Sequence, residues 1–394
     1  MDGWIFQGGF PQVSVSGGGG AYTVRQEQFR YLEPGATSWK VPMLVRTEDG
    51  VSRVLLEGAE AKIEAGAGLV VNAGGDGFYR VSYSPELLAD LGSRLADLDA
   101  SERYSLVSDT WASVLTGDTS AGEFIALAGA LGDETEPDVW GAVLTGLGEL
   151  DRIVSSDSRP EMQRFVRDLV ADAADGLGWA PEPGESDRTR ELRGLLIKAR
   201  GALGDDQETQ RMAGDVWRRH LEGERFDAEV RDASLGVIAS NGSMDDFKEF
   251  LDLSDRAANP QDVVKYLRAA TAVPEAEAAE RLFQMVLDGD IRSQDSMWVL
   301  ALLLGHRENG PRVWELIKAN WDATLAAMPP QNKQRMLDLL HFRSEPAIAA
   351  DIEAFLATHP IPAGDKFSKQ QVELMKVRVG LRVREADRLG EALG

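Results

Sequence analysis

Apolar residues alternate with polar ones up to Tyr83, and from Ser84-Pro85 onward they return every third or fourth position. A pleated strand buries alternate side chains and a helix buries one stripe, so the switch divides the chain into a strand-built part and a helix-built part. In the first part, Val13, Val15, Tyr22 and Val24 alternate around the flexible run Ser16-Gly17-Gly18-Gly19-Gly20, which predicts a hairpin. A second hairpin is expected where Trp39 to Val45 and Val51 to Leu56 flank Glu48-Asp49-Gly50, whose Asp-Gly pair favours a tight reversal. Pro42 assigns its run to an edge strand or to a strand start. Leu69 to Asn72 and Phe78 to Tyr83, separated by Ala73 to Gly77, complete about half a dozen short strands, enough for a small antiparallel β-sandwich.

The second part reads as helix throughout. Phe124, Leu127, Ala128 and Leu131 fall on one helical stripe, and Val372, Met375, Val379, Val383 and Leu389 are assigned to one face of a closing helix. Pro181-Glu182-Pro183-Gly184, Asn241-Gly242, Asn259-Pro260 and Met328-Pro329-Pro330 punctuate the stretch into about fifteen helices. No repeat recurs at a fixed period, so the expected fold is mainly α: a small sandwich at 11–84, then an irregular armadillo/HEAT-like superhelix at 85–394. Such stacks commonly offer a concave binding face.

A length of 394 residues with 43% hydrophobic content supports two domains. The formal charge of -23 repels nucleic-acid backbones and anionic membranes, so neither is an expected partner. The sequence has no Cys, which excludes disulfides and thiolate chemistry. No window approaches the roughly 18 apolar residues of a membrane span, and no signal-peptide pattern opens the chain, so a cytoplasmic location is expected. Asn241-Gly242-Ser243 matches a glycosylation acceptor but is read as a turn.

Catalytic signatures are missing from the sequence. His220, His306, His341 and His359 are its only histidines, and no two are spaced to share a metal across one helical turn. A Gly-x-Ser-x-Gly elbow does not occur in a credible context, and no Gly-Lys-Ser/Thr follows the Gly17 to Gly20 run. Asp205-Asp206 and Asp245-Asp246 sit beside expected helix starts, where negative charge complements exposed amides.

Five motifs, in order, resemble one family. They are Trp4-x-x-Gln7-x-Gly9-Phe10-Pro11; Gly77-Phe78-Tyr79-Arg80-Val81-x-Tyr83; Arg103 to Leu131; Glu134-Thr135 before Trp140; and the block of Ile291-Arg292-x-Gln294-Asp295 with Trp314 to Trp321. Together they are similar to the C-terminal part of the aminopeptidase N family of zinc metallopeptidases. The resemblance covers nearly the whole chain. It makes 1–10 the remnant of a catalytic-domain exit, 11–84 the sandwich and 85–394 the helical C-terminal domain.

The resemblance implies a non-catalytic region that encloses a peptide substrate and gates its access, inactive alone. It places the chain's start after the catalytic residues, as in a fragment, a split-gene product or a truncated gene. Zinc is expected in the catalytic domain and no cofactor in this chain; the implied partners are peptides and that catalytic domain, with a monomer as the default. No catalytic or metal residue carries over, and no substrate-binding residue is assigned. Arg292, Gln294 and Asp295 are the polar motif positions to test against a peptide carboxylate, although an internal Arg-Asp network explains them as well. Tyr79 and Arg80 read as a domain-junction contact, and Trp314 and Trp321, on one helical face, as core. A second reading is a free-standing helical scaffold that binds a protein or peptide on its concave face.

Overall fold

The computed structural model describes residues 2–33, 35–362 and 364–394. The chain contains two compact units. One runs to Ala173 and takes back Arg384–Gly394; the other is Ala174–Val383.

The first unit opens with a short helix, Asp2–Phe6, and then builds two small sheets. Strands β1 (Pro11–Gly18), β2 (Ala21–Gln28), β5 (Glu60–Glu64) and β7 (Arg80–Tyr83) form one, in the order β5-β2-β1-β7. Strands β3 (Val41–Thr47), β4 (Gly50–Leu56) and β6 (Val70–Val71) form the other, in the order β4-β3-β6. Val13, Val15, Val24, Val41, Met43, Val45 and Leu56 fill one core, as their alternation predicts. The hairpin loop is shorter than the glycine run suggests, because Gly17 and Gly18 pair with Tyr22 and Ala21 while only Gly19 and Gly20 turn the chain. Both turn residues have positive φ, 63° and 93°, which a two-residue hairpin turn of the primed kind requires. Gly17 has φ 111°, and a Cβ there would come 2.4 Å from the Ala21 carbonyl oxygen.

Two details differ from the sequence reading. β7 runs parallel to β1, the one parallel pair in a set otherwise antiparallel. The long path through the second sheet supplies the crossover that a parallel neighbour needs. β3 is a central strand, and Pro42 is tolerated because it is the second residue of that strand and β6 reaches only Val45 and Arg46.

Buried Gln26 ties the flanks of the sheets together. Its Oε1 accepts from Trp39 N at 2.8 Å, while its Nε2 donates to the Trp39 and Gly58 carbonyls at 2.6 and 2.7 Å.

The same unit continues into helices. Ser120 and Glu123 form a capping box at the start of Ala121–Gly129, which buries Phe124, Leu127 and Ala128; Leu131 is buried just beyond it. Gly146 of Pro137–Ile153 lets the Phe124 and Trp111 rings approach, their centroids 5.1 Å apart.

In the second unit, each helix from Asp187–Lys198 to Ser293–Gly305 packs on the next helix in sequence or on the next but one. Asp187–Lys198 packs on Ala228–Asn241, which also meets Gln207–Leu221 and Pro260–Ala272; the last packs on Met244–Arg256 and Ser293–Gly305. This order is that of stacked helical arrays. Trp314, Leu304, Phe250 and Met336 are among the side chains of its main core. Asp206 and Ser243 cap helix starts, and Asp246 completes the second cap, as the acidic pairs predict. The Asn241-Gly242-Ser243 segment, read as a turn, is the break between two helices: Asn241 ends Ala228–Asn241, its Nδ2 donating to the Gly201 and Val237 carbonyls at 3.2 and 3.0 Å, and Ser243 caps the next helix.

The closing helix is a correction. Asp365–Glu385 ends before Leu389, which belongs to a separate helix Leu389–Leu393, and Val383 is 68% exposed while Met375, Val377 and Leu381 are buried.

A Cβ at Gly146 would meet Phe124 Cζ at 2.4 Å. Gly146→Ala is therefore expected to lower stability by about 1–3 kcal/mol despite its better helix propensity. Urea denaturation of the two proteins checks this.

Candidate functional site

The Gly77-to-Tyr83 motif ends in β7, whose strand begins only at Arg80, and it delivers Arg80 to the helix Ala100–Thr116. Asp99 starts that helix with a capping box: its side chain accepts from Glu102 N at 2.9 Å, and the Glu102 carboxylate accepts from Asp99 N at 3.1 Å. Glu102 and Asp109 lie two turns apart on one face. Both address the sandwich. Glu102 pairs with Arg46 of β3 and accepts from Gly74 N at 3.1 Å. Asp109 accepts from Arg80 Nη1 at 2.8 Å and from Val81 N at 2.9 Å.

Arg80 also lies 5.1 Å from the centre of the Phe29 ring, so it makes the sandwich-exit contact expected of it by both pairing and stacking. Burial pushes the Asp109 carboxyl up to about 6, against the opposing pull of the Val81 amide and Arg80. Burial likewise raises the Tyr79 and Tyr83 phenols. Tyr83 OH accepts from Val71 N at 2.9 Å and donates to Val71 O at 3.2 Å. A cavity of about 20 Å³ lies among Val71, Tyr83, Glu102, Ser105 and Asp109, room for one water.

A second polar knot explains the Glu-Thr segment. Glu134 pairs with Arg103 at 2.5 Å, accepts from Thr135 N and Glu136 N at 2.8 and 2.9 Å, and its carbonyl accepts from Trp140 Nε1 at 2.9 Å. Burial pushes the Glu134 carboxyl up, but Arg103 and the two amides outweigh it and hold the group below its ordinary value.

The other singled-out positions take structural places. Arg292 reaches Asp295 Oδ2 at 2.7 Å within one helix start, Trp298 Nε1 donates to Asp295 Oδ1 at 3.1 Å, and Gln294 is exposed. The Arg-Asp contact, expected to hold two helices together, instead braces one helix start, because Arg292 is the N-cap and Asp295 lies in the first turn of the same helix. Trp314 is fully buried with its Nε1 donating to Asp351 at 2.7 Å, and Trp321 meets Phe355 edge-on at 5.2 Å, which confirms both as core.

The histidines are dispersed. His220 lies against Trp217, His306 accepts from Asn309 N at 3.2 Å, His341 lies against Phe342, and His359 stacks on Phe355 with centroids 4.0 Å apart. Among the described residues, no three His, Asp or Glu side chains are grouped so as to hold a metal ion. No helix of the described residues is long and apolar enough to cross a membrane.

Sequence reasoning did not single out Glu102, Asp109 or Glu134 as partners. The available signal was the seven-residue spacing of Glu102 and Asp109 downstream of a strand carrying Arg80.

A small strand-built part locked to the helix Ala100–Thr116 and continued by helices agrees with the fold expected from the resemblance, and the family match supports it. The chain belongs to the family described as ERAP1-like C-terminal domain, whose pattern matches residues 69–377. It is 28% identical to the puromycin-sensitive aminopeptidase of Caenorhabditis elegans, over 76% of this chain and 34% of that protein. It is 24% identical to "Aminopeptidase 2, mitochondrial" of Saccharomyces cerevisiae, over 84% of this chain and 36% of that protein. It is 26% identical to Aminopeptidase M1-B of Oryza sativa, over 97% of this chain and 46% of that protein. The chain thus spans less than half the length of these relatives.

The Asp109 carboxyl, raised from its unfolded value near 3.8 to about 6, adds stability when protonated and loses that contribution as pH rises from about 4 to about 6. The stability of the protein relative to Asp109→Asn should therefore fall by about 3 kcal/mol across that window. Urea denaturation of both proteins at a series of pH values reads the difference, and a flat difference contradicts the assignment.

Proposed function

We propose that this chain is the non-catalytic part of a cytoplasmic zinc aminopeptidase: it encloses the peptide substrate and gates its access, and it is inactive without a catalytic half. The observation that carries this reading is the family match over 69–377 combined with coverage of only 34–46% of three aminopeptidase relatives. Those relatives have more than half of their length outside the matched part. Zinc belongs to the catalytic half in this reading, because this sequence has no His-Glu-x-x-His to hold it and activate a water.

The start of the chain offers apolar surface for such a half. Ile5, Phe6 and Phe78 are 64%, 81% and 70% exposed, and Phe78 continues an aromatic group with Trp4 and Phe10. A helical wall over a peptide site would exclude water and limit which peptides fit, so the expected contribution is to length and end selection.

The test uses the chain, a separately expressed His-Glu-x-x-His half from the same genome, and their mixture. The chain alone should show no chelator-sensitive hydrolysis of aminoacyl anilides. The mixture should discriminate among peptides of different length in a way the catalytic half alone does not, and Phe6→Glu with Phe78→Glu should weaken that gain. Chelator-sensitive turnover by the chain alone, or a mixture that behaves as the sum of its parts, contradicts the reading.

A further inference from the structure

The outer edge of β4 is an open strand. The two-residue loop Glu48-Asp49 makes Thr47 and Gly50 the closing pair of the hairpin, so Gly50, Ser52, Val54 and Leu56 bond to β3 and the backbone groups of Val51, Arg53 and Leu55 point the other way. Among the described residues, no hydrogen bond engages the backbone of Val51, Arg53 or Leu55 on that side. The side chains at these positions are also exposed, Val51 at 61% and Leu55 at 52%. The strand itself contains no proline, and its one charge is Arg53, so the usual devices that blunt an edge are few. A row of outward N–H and C=O groups is completed by one chemistry, another extended backbone.

The side chains decide which backbone. We propose that β4 pairs antiparallel with β4 of a second copy about a two-fold axis at Leu55. In this register Leu55 faces Leu55 of the second copy, and Arg53 faces Glu57 twice, so two apolar neighbours and two opposite-charge pairs form together. Glu57 holds Lys40 through Oε1 at 2.8 Å, an exposed pair that leaves Oε2 for the incoming guanidinium.

The alternative registers are worse. Centring on Arg53 sets Arg53 against Arg53 and Asp49 against Glu57, and centring on Val54 sets Arg53 against Leu55 and Val51 against Glu57. The ladder is short, since Ala59 O already accepts from Gln26 N at 2.8 Å, so the pairing ends at Glu57. It buries less than the roughly 1,200 Å² of a standard interface, which makes the dimer weak and reversible. This pairing is independent of the peptidase reading, because it needs only β3, β4 and Glu57.

Sedimentation equilibrium of the full chain over a wide concentration range tests it. A monomer-dimer equilibrium is expected, weakened about tenfold or more by Arg53→Glu or Glu57→Arg alone and restored when the two are combined. Amide exchange gives an independent readout: Arg53, Leu55 and Glu57 should gain protection with concentration while Ser52 and Val54 stay unchanged. No self-association up to about 1 mM, the dissociation constant of a contact worth about 4 kcal/mol, overturns the proposal. So does a dimer indifferent to all three variants. If an extended peptide of unrelated sequence protects the same amides and the chain stays monomeric, the edge is a peptide site and the two-fold pairing is wrong.

Discussion

Two buried carboxylates on one face of the helix Ala100–Thr116 hold the strand-built part of the first unit to its helices. Glu102 and Asp109 each take one Arg and one backbone amide from the sandwich side: Arg46 with Gly74 N, and Arg80 with Val81 N. Desolvating such groups is costly, and the rise of Asp109 to about 6 is the mark of that cost. What the arrangement gives in exchange is geometry. Each carboxylate accepts donors from fixed backbone positions, so a shift of the helix by one residue would strand both charges. Removing one partner leaves the other buried and unpaired, a loss of about 3–5 kcal/mol for comparable pairs.

Other polar groups do the same work on a smaller scale. Gln26 satisfies three backbone groups between the sheets, Glu134 accepts from four donors at the turn before Pro137–Ile153, and Glu385 accepts from Ala121 N at 3.1 Å at a helix start. Apolar burial supplies the bulk of the stabilisation, but it is non-directional. These groups, each bound to named backbone atoms, select one packing among the many that similar cores would allow.

Periodicity made the classes of structure legible, because burial of alternate or every third-to-fourth side chain is written directly into the sequence. Hence the hairpin around Gly19-Gly20, the helix under Phe124 and Leu127, and the core roles of Trp314 and Trp321 were readable. The direction of β7 beside β1 was not, since side-chain alternation looks the same in parallel and antiparallel strands. Asp109 and Glu102 were hidden differently. In a chain with 65 acidic residues, a carboxylate that is buried and paired looks like any solvated one until its neighbours are known. Val383 failed for the opposite reason: it continues the apolar stripe by spacing, yet lies near the end of its helix and is exposed. The family resemblance reached the right fold through motifs such as Gly77 to Tyr83, whose physical meaning, a strand aimed at a carboxylate, appears only in three dimensions.

The central claim is that the sandwich and the helix Ala100–Thr116 are locked through carboxylate-to-amide bonds. Residue-resolved hydrogen exchange at Gly74 and Val81 tests it most directly, because these amides donate to Glu102 and Asp109 and Val81 N has no strand partner for its bond. Both should exchange as slowly as the amides of the β1–β2 ladder, opening only with the whole unit. Exchange at the rate of a freely opening loop, with the β1–β2 ladder still protected, would show that the carboxylates decorate the joint and do not hold it.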